Sequence, residues 1–317
     1  DYAEIDDDEL MALALTLHLQ EVNHDEHLWV RWHADPLPDQ VELRFSPEWQ
    51  ENSRLAASLD GFGIHRVERL QGNIGYIDLR YFHKISIAQL AVASAVHLIA
   101  NTWAVLLDLR QCTGGYPEMV AHLASYFFSE EPIHLTSIYW RDEDAVQEFW
   151  TQPELPGKRL VDLPLFVLTG KATFSAGEGF ASILQIRQRA LVVGEKTDGG
   201  AHPGVSFMLS PHYEAFIPVG RAFDPASGKD LEGTGVIPDV LIPEQHAFTA
   251  AYDLALGAAI KLHQDDPRTA VRDQVVEAQK AAAQLRSQHK ICQQCSYPNQ
   301  THRSQCKNCG RVFEDGA

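Results

Sequence analysis

Leu168-Thr169-Gly170-Lys171-Ala172-Thr173-Phe174-Ser175-Ala176-Gly177-Glu178-Gly179-Phe180 is the stretch from which the fold is read. The apolar run Leu165–Leu168 is short and stops at a Gly turn, which predicts a buried strand, and Gly177–Ile186 predicts a helix. Strand, turn and helix make half of an α/β unit, and the same alternation extends in both directions. Upstream, strands are predicted at Ile74–Leu79 and Ala104–Leu109, with helices at Ser86–Ala100 and Glu118–Phe128. Downstream come a strand at Ala190–Val193, a hairpin of Val205–Leu209 with Ala215–Val219, and an apolar helix at Phe248–Leu262. The pattern predicts an α/β fold with a largely parallel sheet covered on both faces.

Before this block, Asp7–Val22 carries Leu10, Leu13, Ala14 and Leu17 on one helical face, and Leu28–Trp32 is β-like. Asp35–Gly63 holds Pro36, Pro38, Pro47 and Gly61 and reads as a connector with one strand near Val41–Phe45. After it, Asp266–Lys290 reads as a polar helical spacer. The expected division is a partial helical N-terminal segment with connector (1–70), the main α/β domain (71–264), the spacer (265–290) and a small C-terminal tail (291–317).

At 45% hydrophobic residues the chain has the material for a core, which excludes global disorder. A net charge of −17 argues against broad contact with nucleic acid or an anionic membrane. Apolar runs such as Ile85–Ala100 are broken by polar residues and fall short of the roughly 20 needed to span a bilayer, so no membrane role is expected. The chain opens at Asp1 without a Met, which reads as a processed or trimmed form and leaves export open.

Four of the five cysteines read Cys292-x2-Cys295-x10-Cys306-x2-Cys309. Two C-x-x-C knuckles joined by a short polar loop are the spacing of a zinc ribbon, with disulfides as the rival. Four thiolates leave no open position for water, so the zinc expected here is structural, with none needed for catalysis. Such a ribbon suits a reducing cytoplasm and offers a surface to a protein partner.

Ser175 stands where the predicted strand turns into a helix, so its hydroxyl is placed for attack and nearby N–H groups favour a developing oxyanion. The plainer reading is a helix capping box, Ser175-x-x-Glu178. A second strand end, Asp108-Leu109-Arg110-Gln111-Cys112-Thr113-Gly114-Gly115, carries a Gly pair whose N–H groups are free of side chains.

Together with Gly72-Asn73-Ile74-Gly75-Tyr76-Ile77, Gly194–Gly204 and Leu231–Asp239, and in this order, these elements resemble the S41 serine peptidases. That family spans the carboxyl-terminal processing proteases, the tricorn core and the interphotoreceptor retinoid-binding-protein branch. The resemblance runs from about His24 to Pro243. It implies a ClpP/crotonase-like ββα superhelix and a peptidase acting on peptides or unfolded chain ends.

The processing proteases carry a base lysine in Thr-x-Gly-Lys-Gly. Here the matching run is Thr197-Asp198-Gly199-Gly200-Ala201, with Gly200 at the lysine's place. The chain is therefore similar to the tricorn-like and retinoid-binding-protein-like branch, and it has no room for a PDZ domain between Asp35 and Gly72. By that resemblance the catalytic residues are Ser175, His27 (in Asp25-Glu26-His27) as base, and Glu232 as the orienting carboxylate. Oxyanion donors are the N–H groups of Gly114, Gly115 and Ala176, and His202 lines the substrate cleft. His24 and His202 are the rival bases. The alternative function is a non-proteolytic binding protein for an apolar, retinoid- or lipid-like ligand, and a third reading is an inert scaffold recruited through the ribbon.

Overall fold

A computed structural model describes residues 2–37, 47–300 and 303–313. Its centre is a six-stranded sheet, and the local reading of 165–186 lands in its middle. Strands are numbered in chain order, β1 to β14. The sheet runs β12 (Val240–Leu241), β8 (Leu191–Gly194), β7 (Leu165–Thr169), β4 (Ala104–Asp108), β3 (Ile74–Leu79), β2 (Ile64–Leu70). All pairings are parallel except β2 with β3.

Alternate residues of these strands feed two cores, as the period of two requires. Val105, Leu107 and Val167 face helices α3 (Ile85–Leu98), α4 (Pro117–Ser125) and α5 (Ala176–Ile186). Ala104, Leu106, Phe166 and Leu168 face α6 (Glu244–His263) and α7 (Thr269–Gln288). Every residue of β4 and β7 is buried, which is why both read as unbroken apolar runs.

The stretch read as a spacer is α7, and it lies against α6. Val275, Ala278, Ala281 and Ala282 are its buried face, and their small side chains let the two helices approach closely. Its polar composition hid this, because an Ala stripe buries little apolar surface per residue.

The connector holds a helix, α2 (Pro47–Leu59); the strand expected near Val41–Phe45 lies outside the described residues. Two more strands, β5 (His134–Trp140) and β6 (Ala145–Trp150), form a hairpin, and β11 (Gly220–Phe223) joins β5.

A third sheet brings the N-terminal segment to the domain. Helix α1 (Asp8–Asn23) is capped by Asp7 and ends at His24, in the left-handed region at φ 59°. After a short turn, β1 (Trp29–Trp32) pairs antiparallel with β10 (Tyr213–Pro218), itself paired with β9 (Gly204–Ser210). The register Trp29↔Phe216 fixes where the preceding turn, residues 24–28, meets the domain. Among the described residues no helix is long and apolar enough to cross a membrane.

Candidate active site

Ser175 sits at the end of the turn that follows β7, with φ 52° and ψ −120°. A non-glycine residue in that region costs about 1–3 kcal/mol and persists only where its surroundings hold it. Here they do. Gly170 N–H donates to Thr173 Oγ1 (2.9 Å), Thr173 Oγ1 donates to Leu109 O (2.7 Å), and Phe174 N–H donates to Cys112 O (2.9 Å). Ser175 N–H donates to Glu178 Oε2 at 2.8 Å.

Glu178 does more than cap the helix. It is fully buried, and its carboxylate also accepts the N–H groups of Gly199 and Gly200, each at 2.8 Å. One side chain therefore ties the serine turn to the glycine-rich loop. Burial pushes its pKa up against the pull of these donors and of Thr197.

His27 arrives from the turn between α1 and β1, and its Nε2 lies 3.0 Å from Ser175 Oγ. Its ring packs on Phe174, with centroids 4.6 Å apart. The turn is shaped by Asp25, whose Oδ1 accepts the His27 backbone N–H at 2.9 Å. Burial lowers the His27 pKa, with Asp25 opposing and His202 reinforcing, which favours the neutral ring that a general base needs.

Gly200 explains how this ring fits. A Cβ built there would lie 2.5 Å from Phe174 ring atoms and 2.6 Å from His27 Cε1. A side chain at position 200 and the His27 ring therefore compete for the same space.

Glu232 accepts the Ala201 N–H at 2.7 Å and makes no hydrogen bond to His27. The Nδ1 of His27 is buried without a hydrogen-bond partner, 3.7 Å from Asp25 Oδ1. His202 Nδ1 donates to Asp25 Oδ2 at 2.7 Å and lies 3.4 Å from Glu232 Oε2. The Asp25 hydrogen bond, outweighing burial, raises the His202 pKa. For Asp25, burial raises the pKa, but His202 and the His27 N–H lower it further. Of the other candidates, His24 is exposed at the end of α1, and Lys171 and Lys196 are exposed.

The Gly114-Gly115 backbone runs beside the serine with φ of 115° and 131°. A Cβ on Gly114 would come within 2.9 Å of Ser175 Cβ and 3.3 Å of the Ala176 nitrogen. Ala176 opens α5, so the positive end of that helix faces the same point. Cys112 is fully buried and burial pushes its thiol up to about 12, which keeps it an un-ionised packing residue.

A cavity of about 280 Å³ opens from Ser175 and Ala176. Val120, Leu135, Ile138, Ile183 and Leu231 give it apolar walls, and Gly200, Ala201 and Pro203 form one side. His202 is not among its lining residues.

In the tail, Cys292 and Cys309 sulfurs are 3.6 Å apart, as are those of Cys295 and Cys306, and all four lie within 4.8 Å of one another. That is too long for a disulfide and close to the roughly 3.8 Å edge of a tetrahedron with 2.3 Å metal–sulfur bonds. The residues fit a tetrahedral thiolate site. Tyr297, 4% exposed, packs on His246 of α6 with ring centroids 5.0 Å apart, so the tail is seated on the domain.

A parallel sheet with a strained serine at a helix start, an imidazole on its hydroxyl and a paired glycine loop beside it define the class of the chain. Residues 73–242 match the family model "Peptidase family S41", and the chain belongs to that family. It is 30% identical over 225 residues to a carboxyl-terminal-processing protease of Synechocystis, covering 67% of this chain and 49% of that protein. It is 27% identical over 180 residues to carboxyl-terminal-processing peptidase 1 of Arabidopsis thaliana, covering 56% and 35%. The chain thus spans about half, or less, of these curated relatives. A lipoprotein structure from Streptococcus agalactiae shares the fold at TM-score 0.52 and 14% identity, over 80% of this chain and 84% of that one.

Sequence reasoning gave no role to Asp25 and read Glu178 only as a cap. Asp25 had a signal, since it stands two residues before His27 and an Asx-type bond to the i+2 N–H is a common turn device. The other contacts of Glu178 are to residues about 20 positions away and have no local signature.

Proposed function

We propose that the chain is a serine peptidase that acylates Ser175 and then hydrolyses the acyl-enzyme. The observation that carries this is the 3.0 Å approach of His27 Nε2 to Ser175 Oγ at a strained strand–helix turn. His27 takes the serine proton and returns it to the leaving amine. The carboxylates near the His27 ring, Asp25 beside Nδ1 and Glu232 within the same cluster, stabilise the imidazolium. Asp25 is the nearer at 3.7 Å, and a small side-chain movement on protonation brings an acceptor into reach. Backbone N–H groups of Gly115 and Ala176 receive the oxyanion; that of Gly114 also reaches the Cys112 sulfur.

A base from a distant histidine, with Gly200 in place of a lysine, supports the tricorn-like and retinoid-binding-protein-like branch over a Ser–Lys dyad. The carboxyl-terminal-processing relatives suggest peptides or chain ends as substrates. The apolar walls of the cavity beside Ser175 offer a substrate side chain a place next to the nucleophile. The cysteine cluster is read as a structural zinc site with a protein-docking role, outside the reaction. Incubation of the folded protein with a fluorophosphonate probe tests the assignment, since only a serine poised with a base reacts.

Two further outcomes are expected. Gly200→Ala forces the His27 or Phe174 ring aside and should lower kcat by about 10²-fold, the scale of a 1 Å misplacement, with a loss of stability of about 1–3 kcal/mol from overpacking. Unaltered kcat would contradict the close packing of His27 on Gly200. The second is a pH profile. Because the His27 pKa is lowered in the folded chain, the base stays neutral down to below the usual histidine value near 6.5. The acid limb of kcat/KM should therefore lie below pH 6.5, with activity lost as pH falls through it. A limb centred above that value would mean another group carries the proton.

A further inference from the structure

One polar atom of the site is left over by this chemistry. His27 is 8% exposed, yet its Nδ1 has no hydrogen-bond partner. With Nε2 directed at Ser175, Nδ1 points toward Asp25 Oδ1 at 3.7 Å. One His27 nitrogen and one carboxylate oxygen each from Asp25 and Glu232 lie within 4.8 Å of one another.

An imidazole nitrogen with two carboxylate oxygens is a donor set for a borderline divalent cation. We propose that His27 Nδ1, Asp25 and Glu232 form a second metal site, distinct from the cysteine cluster, at which a zinc-class cation switches the peptidase off. The inhibitory part rests on the reading of His27 as the base. A metal on Nδ1 leaves the neutral ring with its single proton on Nε2. That nitrogen then donates and can no longer accept the Ser175 proton.

The carboxylates keep the capacity for this. Asp25 Oδ1 accepts the His27 N–H, Asp25 Oδ2 accepts from His202, and Glu232 Oε2 accepts the Ala201 N–H. An ionised carboxylate has about four lone-pair sites, so lone pairs remain on both. Closing the cluster to metal–ligand distances of about 2.0–2.2 Å asks for about 1 Å of movement. Glu232, partly exposed and followed by Gly233 and Gly235, is the donor placed to supply it. Without metal, His202 bridges the two carboxylates, with its Nδ1 2.7 Å from Asp25 Oδ2 and 3.4 Å from Glu232 Oε2. The donor set is harder than four thiolates, so the two sites differ in which metals they retain.

The test uses the full Ser175→Ala chain with its cysteine cluster already loaded with zinc, so that binding is read apart from catalysis. Titration with Co²⁺, followed by visible absorption, and with Zn²⁺, followed by elemental analysis after desalting, should reveal one further equivalent. Glu232→Gln and His27→Gln, each checked for a native circular-dichroism melt, should abolish it and leave the first equivalent bound. In the wild type, saturating Zn²⁺ should slow fluorophosphonate labelling of Ser175 by at least about 10²-fold, the share a general base supplies, and a chelator should restore it. A single equivalent, or a second one indifferent to both substitutions, overturns the site. A second equivalent that leaves labelling unchanged overturns its inhibitory role. Absence of labelling in wild type loaded only at the cysteine cluster counts against the reading of Ser175, while the titration still decides the metal site.

Discussion

Ser175→Ala is expected to lower peptide hydrolysis by about 10⁴–10⁶-fold while the protein stays folded. The Oγ removed is the atom that forms the acyl bond, and nothing else in the site replaces it: Cys112 is fully buried with its thiol pushed up to about 12. His27→Ala should lose nearly as much, and the double variant little more, because nucleophile and base act as one unit. His202→Ala should be milder, since His202 touches Asp25 and Glu232 and neither Ser175 nor the cavity. Steady-state rates on a small chromogenic peptide, with melting curves for each variant, make the comparison. If His202→Ala cost more than His27→Ala, the base would have to be reassigned.

Removal of metal from Cys292, Cys295, Cys306 and Cys309 has the largest expected effect on stability. Some 28 residues follow Lys290, counting it, and their large apolar side chains are mainly Ile291, Tyr297, Val312 and Phe313. That burial is too little to order the tail by itself. Metal binding is expected to supply the missing free energy. Chelation should therefore raise amide exchange across 290–313 toward that of an unfolded chain. Seating of Tyr297 against His246 means that the first turn of α6 should loosen as well, while β3, β4 and β7 stay protected. Hydrolysis of small substrates should survive, because none of these cysteines belongs to the Ser175–His27 pair. Loss of hydrolysis with β4 and β7 still protected would couple the cluster to the active site.

The central sheet was legible because β4 and β7 are buried on both sides and read as unbroken apolar runs. The β5–β6 hairpin was not. Four of the first five positions of β6 are exposed, so polar residues such as Gln147 and Glu148 interrupt any apolar pattern. Helix α7 was legible as a helix, but its contact with α6 was not, since Ala278, Ala281 and Ala282 look the same on a solvated face. In the site, the position of Ser175 followed from its local pattern, and its φ of 52° did not, because the bonds that hold it come from Leu109, Cys112 and Glu178. The place of Gly200 in the alignment of motifs was readable. The reason for a glycine there, a Cβ position 2.6 Å from His27 Cε1, belongs to three dimensions.

Covalent labelling of the folded 317-residue chain, with zinc held only by its four tail cysteines, by a fluorophosphonate, with the adduct located by peptide mass spectrometry, tests the central claim most directly. The expected result is a single adduct on Ser175, formed at least about 10²-fold more slowly in His27→Ala. A folded wild type that forms no adduct, or a His27→Ala variant labelled at the wild-type rate, would contradict it.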